Sequence, residues 1–103
     1  MSVHELWLRF AGDHPALAGH FPQRPIVPGV LLLDAAVHGL EQAQGGSWRV
    51  VSVKFHRPVR PEETVRLGYA APSNGLIRFE FHAGQELAVS GALCAGRSAQ
   101  GAV

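Results

Sequence analysis

The sequence predicts an α+β fold: a curved antiparallel sheet wrapped around one buried helix. Three observations predict it. One apolar stretch, residues 30–43, is long enough for a helix. A strand-like segment precedes it, and four more follow it. Turn-forming residues separate the last three at hairpin spacing, so those strands read as a meander. Strand, helix, then meander is the order of a sheet laid against a single helix.

Each element has its own reason. Residues 3–10 alternate, with Leu6, Leu8 and Phe10 on one face and Trp7 with Val3 on the other. Residues 11–28 form a long loop carrying Asp13, His14, His20 and four prolines, and loops of this length inside small domains are usually functional. Asp13 is placed to cap a helical turn over residues 15–18. Pro28 and Gly29 suit the start of the helix, where no intrahelical N–H partner is needed. Gly45 and Gly46 end it. Gly39, inside it, predicts close packing of a neighbour rather than a helix chosen for propensity. Residues 48–59 place Val51, Val53 and Phe55 on one face, and residues 64–71 do the same with Val65, Leu67 and Tyr69. Ser73-Asn74-Gly75 is a hairpin signal. Residues 76–83 put Ile77, Phe79 and Phe81 on one face against Arg78, Glu80 and His82 on the other. Gly84-Gln85 turns the chain into a last strand, 86–95, rich in small residues that would let a subunit or ligand come close. The domain is expected to span residues 1–96, with a frayed tail over 97–103.

Composition narrows the functional class. At 103 residues the chain holds one small domain, and its modest core would gain from oligomerisation. Hydrophobic residues make up 47% and charged residues 17%, which excludes a disordered chain. A formal charge of +1 gives no electrostatic case for nucleic acid. The single cysteine, Cys94, cannot form an internal disulfide, and with no base beside it in sequence it reads as a core or interface thiol. There is no run of eighteen apolar residues and no signal-peptide pattern, so a cytoplasmic protein without a membrane span is expected.

The chemistry is expected from residues 19–36. Asp34 is the only formal charge between Arg24 and Glu41, in a helix apolar on every side of its first two turns. A carboxylate in a dry site needs a partner or takes up a proton, because a helix start offers an anion only about 0.3–1 kcal/mol. A carboxyl group protonated near neutral pH is what a general acid requires. The alternatives are an Asp34 that faces a water-filled gap or caps a neighbouring loop, and a His20 that is a packed or solvated loop residue.

His20-Phe21-Pro22-Gln23-Arg24-Pro25-Ile26-Val27-Pro28-Gly29-Val30-Leu31, followed by Asp34-Ala35-Ala36, resembles the active-site segment of the 3-hydroxyacyl-(acyl-carrier-protein) dehydratases, which have the hotdog fold. The fourteen-residue spacing from histidine to acid matches, and Phe55-His56-Arg57-Pro58-Val59-Arg60-Pro61 resembles the family's strand running into a proline turn. The resemblance implies that His20 takes the proton next to the thioester carbonyl and Asp34 protonates the departing hydroxyl. It implies that the Gly29 N–H bonds the thioester oxygen, a role that also suits a helix start. Phe21, Pro28, Val30 and His38 would line the substrate. No cofactor and no metal are implied. A homodimer is, with histidine and acid of one site drawn from different subunits. Lys54, Arg57 and Arg60, with Arg24, would dock an acidic acyl-carrier protein; the plainer reading is solvated strand and turn charges.

Three features depart from the family pattern, the first being that the family's N-terminal helix and first strand have no counterpart before Val3. His38 stands where a glutamine is usual, four residues after Asp34 and within reach of it on one helix face. The acid is Asp, as in the dehydratase/isomerase branch, rather than the commoner Glu. Two alternatives remain: a hotdog thioesterase in which Asp34 activates water, and a non-catalytic acyl-binding or partner subunit, motivated by His38 and by the absence of family segments before Val3.

Overall fold

The computed structural model describes residues 3–11 and 26–96. Six elements follow in order: β1 (Val3–Arg9), α1 (Gly29–Gln44), β2 (Trp48–Phe55), β3 (Thr64–Ala70), β4 (Leu76–Ala83) and β5 (Glu86–Ala95). The strands form one sheet in the order β1-β3-β4-β5-β2, every neighbouring pair antiparallel. Directly opposed residues share a sheet face. The register therefore lines up Leu6, Leu67, Phe81, Val89 and Phe55 in one row across all five strands. Leu67, Phe81 and Val89 in that row are fully buried.

The hairpins follow from their turn residues. Asn74 and Gly75 both have positive φ, the backbone a two-residue hairpin loop prefers, and Ser73 and Leu76 exchange backbone hydrogen bonds across it. Gly84, also at positive φ, opens the two-residue turn between Ala83 and Glu86.

The helix buries Leu32, Ala36 and Leu40, a stripe at four-residue spacing, against the sheet. Its close contacts give its direction. A Cβ on Gly39 would lie 2.8 Å from Leu6 of β1 and 3.6 Å from Leu67 of β3, whereas one on Gly29 would meet Phe55 of β2. The helix thus crosses the strands, its start over β2 and its third turn over β1 and β3. Gly39 is where the expected close approach occurs. After Gly45 the chain doubles back at once. The Trp48 N–H donates to Glu41 Oε2 at 3.1 Å, and the indole Nε1–H donates to the Gly45 carbonyl at 2.8 Å.

Two strands depart from simple alternation, β5 where its register against β4 shifts past Ala88, and β2. β2 carries a bulge between Val50 and Ser52. Trp48, Val50 and Val53 pack on the core, while Val51 is 47% exposed, so the expected Val51, Val53, Phe55 face holds only for its last two members. β3 and β4 show the expected faces, and Leu6, Leu8 and Phe10 pack on the core while Trp7 is exposed. The readings placed on Asp13, His14, His20, Phe21, Arg24 and the 97–103 tail lie outside the described residues.

Candidate functional site

Pro28 precedes the helix with no side-chain cap, and no acidic residue occupies the first turn. The Pro28 carbonyl accepts from Leu31 at 3.0 Å and from Leu32 at 3.4 Å. The N–H groups of Gly29 and Val30 have no partner among the described residues, as the first N–H groups of a helix have none within it. The segment leading in is anchored by the Val27 N–H, which donates to the Val59 carbonyl at 2.7 Å. Beside this helix start lies a cavity of about 380 Å³, lined by Ile26, Val27, Gly29, Leu32, Phe55 and Val59, with His56, Arg57 and Pro58. Val27, Leu32 and Val59 are buried, so its floor is apolar and fixed.

Asp34 lies elsewhere on the same helix. Val30, Asp34 and His38 follow one another at four-residue spacing and are all exposed, Val30 at 63%. At about 100° per residue, Asp34 stands roughly 160° around the helix from Leu32, which lines the cavity. The expected burial of the helix on every side is therefore met on one face only, because the sheet of one chain covers one face. Among the described residues no hydrogen bond joins Asp34 to His38. The Gly29 amide and the Asp34 carboxyl of one chain do not converge on one point, and His20 lies outside the described residues.

The basic residues divide. Lys54 and Arg60 are exposed. Arg57 is not the free docking cation expected. Its guanidinium bonds both Glu63 oxygens, at 3.2 and 2.8 Å, Glu86 Oε1 at 3.0 Å and the Pro58 carbonyl at 2.8 Å. The hydrogen bond from Arg57 holds the Glu63 carboxyl below its ordinary range, and the reciprocal bond raises Arg57. The 60–63 turn makes this pair possible, since the Arg60 N–H also donates to Glu63 at 3.0 Å. A larger depression of about 560 Å³ lies on the sheet's other face, among Lys54, Arg66, Arg78, Glu80 and Ser90, and includes no helix residue.

Phe55 is the site residue that pattern reading did not single out. No local signal in the sequence brings it to Gly29; only the crossing of helix over sheet does. Cys94 is partly buried, its Sγ 3.4 Å from the Ala95 carbonyl. Among the described residues no group of three His, Cys, Asp or Glu side chains is arranged to hold a metal ion. No described helix is long and apolar enough to cross a membrane.

Comparison with known proteins agrees with this architecture. A family model described as ApeI-like, ApeI dehydratase, matches residues 2–92. The 3-hydroxyacyl-[acyl-carrier-protein] dehydratase FabZ of Agrobacterium fabrum (strain C58) is 33% identical, over 81% of this chain and 59% of that one. The chain spans about half the length of the curated relatives it matches. The dehydratase heterocomplex ApeI:P from Xenorhabdus doucetiae superposes with a TM-score of 0.80 at 25% identity, covering 92% of this chain and 88% of that one. A probable thioesterase from Bartonella henselae gives 0.69 at 14% identity, covering 98% and 95%, and shows the fold alone. The expected hotdog arrangement is thus shared with solved structures over nearly the whole chain.

Proposed function

Because the chain belongs to the ApeI-like dehydratase family, we propose that it removes water from a 3-hydroxyacyl thioester carried on an acyl-carrier protein, giving the trans-2-enoyl thioester. The observation that carries this reading is the division of one helix. Its uncapped start at Gly29 opens beside an apolar cavity, and its one central carboxyl, Asp34, faces the other way on an open stripe. That division suits a dimer in which each site takes its Gly29 amide from one subunit and its acid from the other.

The thioester oxygen accepts from the Gly29 N–H, which stabilises the enolate as it forms. His20 takes a proton from the carbon next to the carbonyl. The C–O bond of the 3-hydroxyl breaks as Asp34 of the facing subunit protonates the leaving oxygen, water departs, and the electron pair of the enolate becomes the new double bond. Each turnover leaves His20 protonated and Asp34 ionised, and proton exchange with solvent resets both. Lys54 and Arg60, with Arg24, remain the candidates for docking the acidic carrier; Arg57 is better assigned to the fold.

The test is direct. Purified protein is incubated with a short 3-hydroxyacyl thioester, free and carrier-linked, and the enoyl absorbance is followed. Activity in the wild type with loss of about 10²-fold or more in His20→Ala and Asp34→Asn is the expected result. A wild type inert on both substrates overturns the self-sufficient enzyme. One observation would then favour a second reading: the similar ApeI:P structure is a heterocomplex, so this chain would be the partner subunit of a dehydratase.

A further inference from the structure

Phe55 is the last residue of β2 and stands opposite Val89, which puts it on the helix side of the sheet. Its ring lies directly against Gly29. A Cβ built there would fall 2.7 Å from Cζ and 2.9 Å from Cε1, so residue 29 has room for the ring only because it is glycine. Yet Phe55 remains 51% exposed, on a strand at the edge of the sheet. Ile26, Val27, Leu32 and Val59 are aliphatic side chains that line the cavity beside Gly29 with it. Three of these four are at most 3% exposed. Val27, Leu32 and Val59 form the closed floor, and among the described lining residues the half-exposed Phe55 ring is the largest apolar wall with solvent beside it.

We propose that Phe55 is a specificity-determining residue, the wall that limits the length of acyl chain accepted beside the Gly29 amide. The inference rests on the dehydratase reading given above. With the thioester oxygen at the Gly29 N–H, the alkyl end of the substrate must leave water for an apolar surface, and this cavity adjoins that amide. The occupant is therefore the acyl chain. Its packed floor cannot yield without disturbing the core, whereas truncating Phe55 adds room for several methylenes. Each methylene buried strengthens binding by about fourfold.

The experiment compares kcat/KM for four-carbon and ten-carbon 3-hydroxyacyl thioesters in the wild type, Phe55→Ala and Phe55→Leu. Phe55→Ala is expected to move the ten-to-four-carbon ratio upward by at least about tenfold, chiefly through KM, with Phe55→Leu between. A merely structural role would lower both rates together and leave the ratio unchanged, which overturns the proposal. Absence of dehydration in the wild type overturns the dehydratase reading instead. In that case the ratio is read from calorimetric binding of saturated four-carbon and ten-carbon acyl-pantetheine thioesters. A higher ten-to-four ratio in Phe55→Ala upholds the wall, and an unchanged ratio, or no binding of either, overturns it.

Discussion

At the scale of single residues, the turn after β2 is held by a charge pair. Arg57 and Glu63 are about a quarter exposed, at 23% and 27%, and share two hydrogen bonds. Such a pair is stronger than a surface one, though water still screens it. Glu86, the other carboxylate on Arg57, is 71% exposed and adds little. We expect Glu63→Gln to cost about 1–2 kcal/mol near neutral pH. The pH dependence has a definite sign. Because folding lowers the Glu63 pKa below its ordinary value of 4.5, the pair contributes in full above that value and is lost as pH falls through the lowered one. Urea midpoints measured from pH 7 downward should therefore converge for wild type and Glu63→Gln in acid. A difference that stays constant with pH would show that the charge is not what Glu63 contributes.

At the scale of elements, two glycines of the same sheet, on strands separated by β4, make a controlled pair. A Cβ on Gly91 of β5 would collide with the Ser52 carbonyl oxygen of β2 and lie 2.8 Å from the Phe79 ring. A backbone atom and a buried ring cannot step aside, so Gly91→Ala should destabilise the fold by about 2–3 kcal/mol by splaying β2 from β5. A Cβ on Gly68 of β3 would meet nothing nearer than 4.0 Å, so Gly68→Ala should be neutral or stabilising by up to about 1 kcal/mol. Thermal unfolding of the two variants checks the pair; equal losses would mean that the β2–β5 contact is looser than the geometry shows. In the sequence, the small residues of β5 read as room for a subunit or ligand; at Gly91 the close neighbours are Ser52 and Phe79 of the same chain. The β3 and β4 faces were legible because Val65, Leu67, Tyr69 and Ile77, Phe79, Phe81 alternate without interruption. The phase of β2 was not, because a bulge costs one residue of alternation and leaves no mark in Val50-Val51-Ser52. Helix limits of 30–43 against Gly29–Gln44 differ by one residue at each end, since Pro28 and Gly45 mark them locally. At the candidate site, the helix start at Gly29 was legible from Pro28-Gly29, whereas the exposure of Asp34 was not, since it depends on which helix face the sheet covers. The contact of Phe55 with Gly29 and the commitment of Arg57 to Glu63 were not, since both depend on which strand passes the helix start or the turn.

At the scale of the whole molecule, the division of α1 makes a prediction about assembly that neither half of the helix makes alone. If each site pairs His20 and Gly29 of one subunit with Asp34 of the other, His20→Ala and Asp34→Asn homodimers are each inactive. A mixed dimer then has one site carrying both lesions and one carrying neither. Unfolding the two variants together at equal concentration and refolding them should therefore restore activity. Random pairing makes half the dimers mixed, each with one intact site of two, so the expected recovery is about a quarter of the wild-type rate. If the histidine and the acid of a site came from the same chain, every chain in the mixture would lack one of them and activity would stay at the level of the separate variants. Refolding each variant by itself controls for refolding yield, and sedimentation of the mixture checks that dimers form. Recovery near a quarter would establish that the open Val30, Asp34, His38 stripe faces a second copy. Dimers without recovery would place the acid in the same subunit as the base and overturn the shared-site arrangement while leaving the dehydration itself to the enoyl assay.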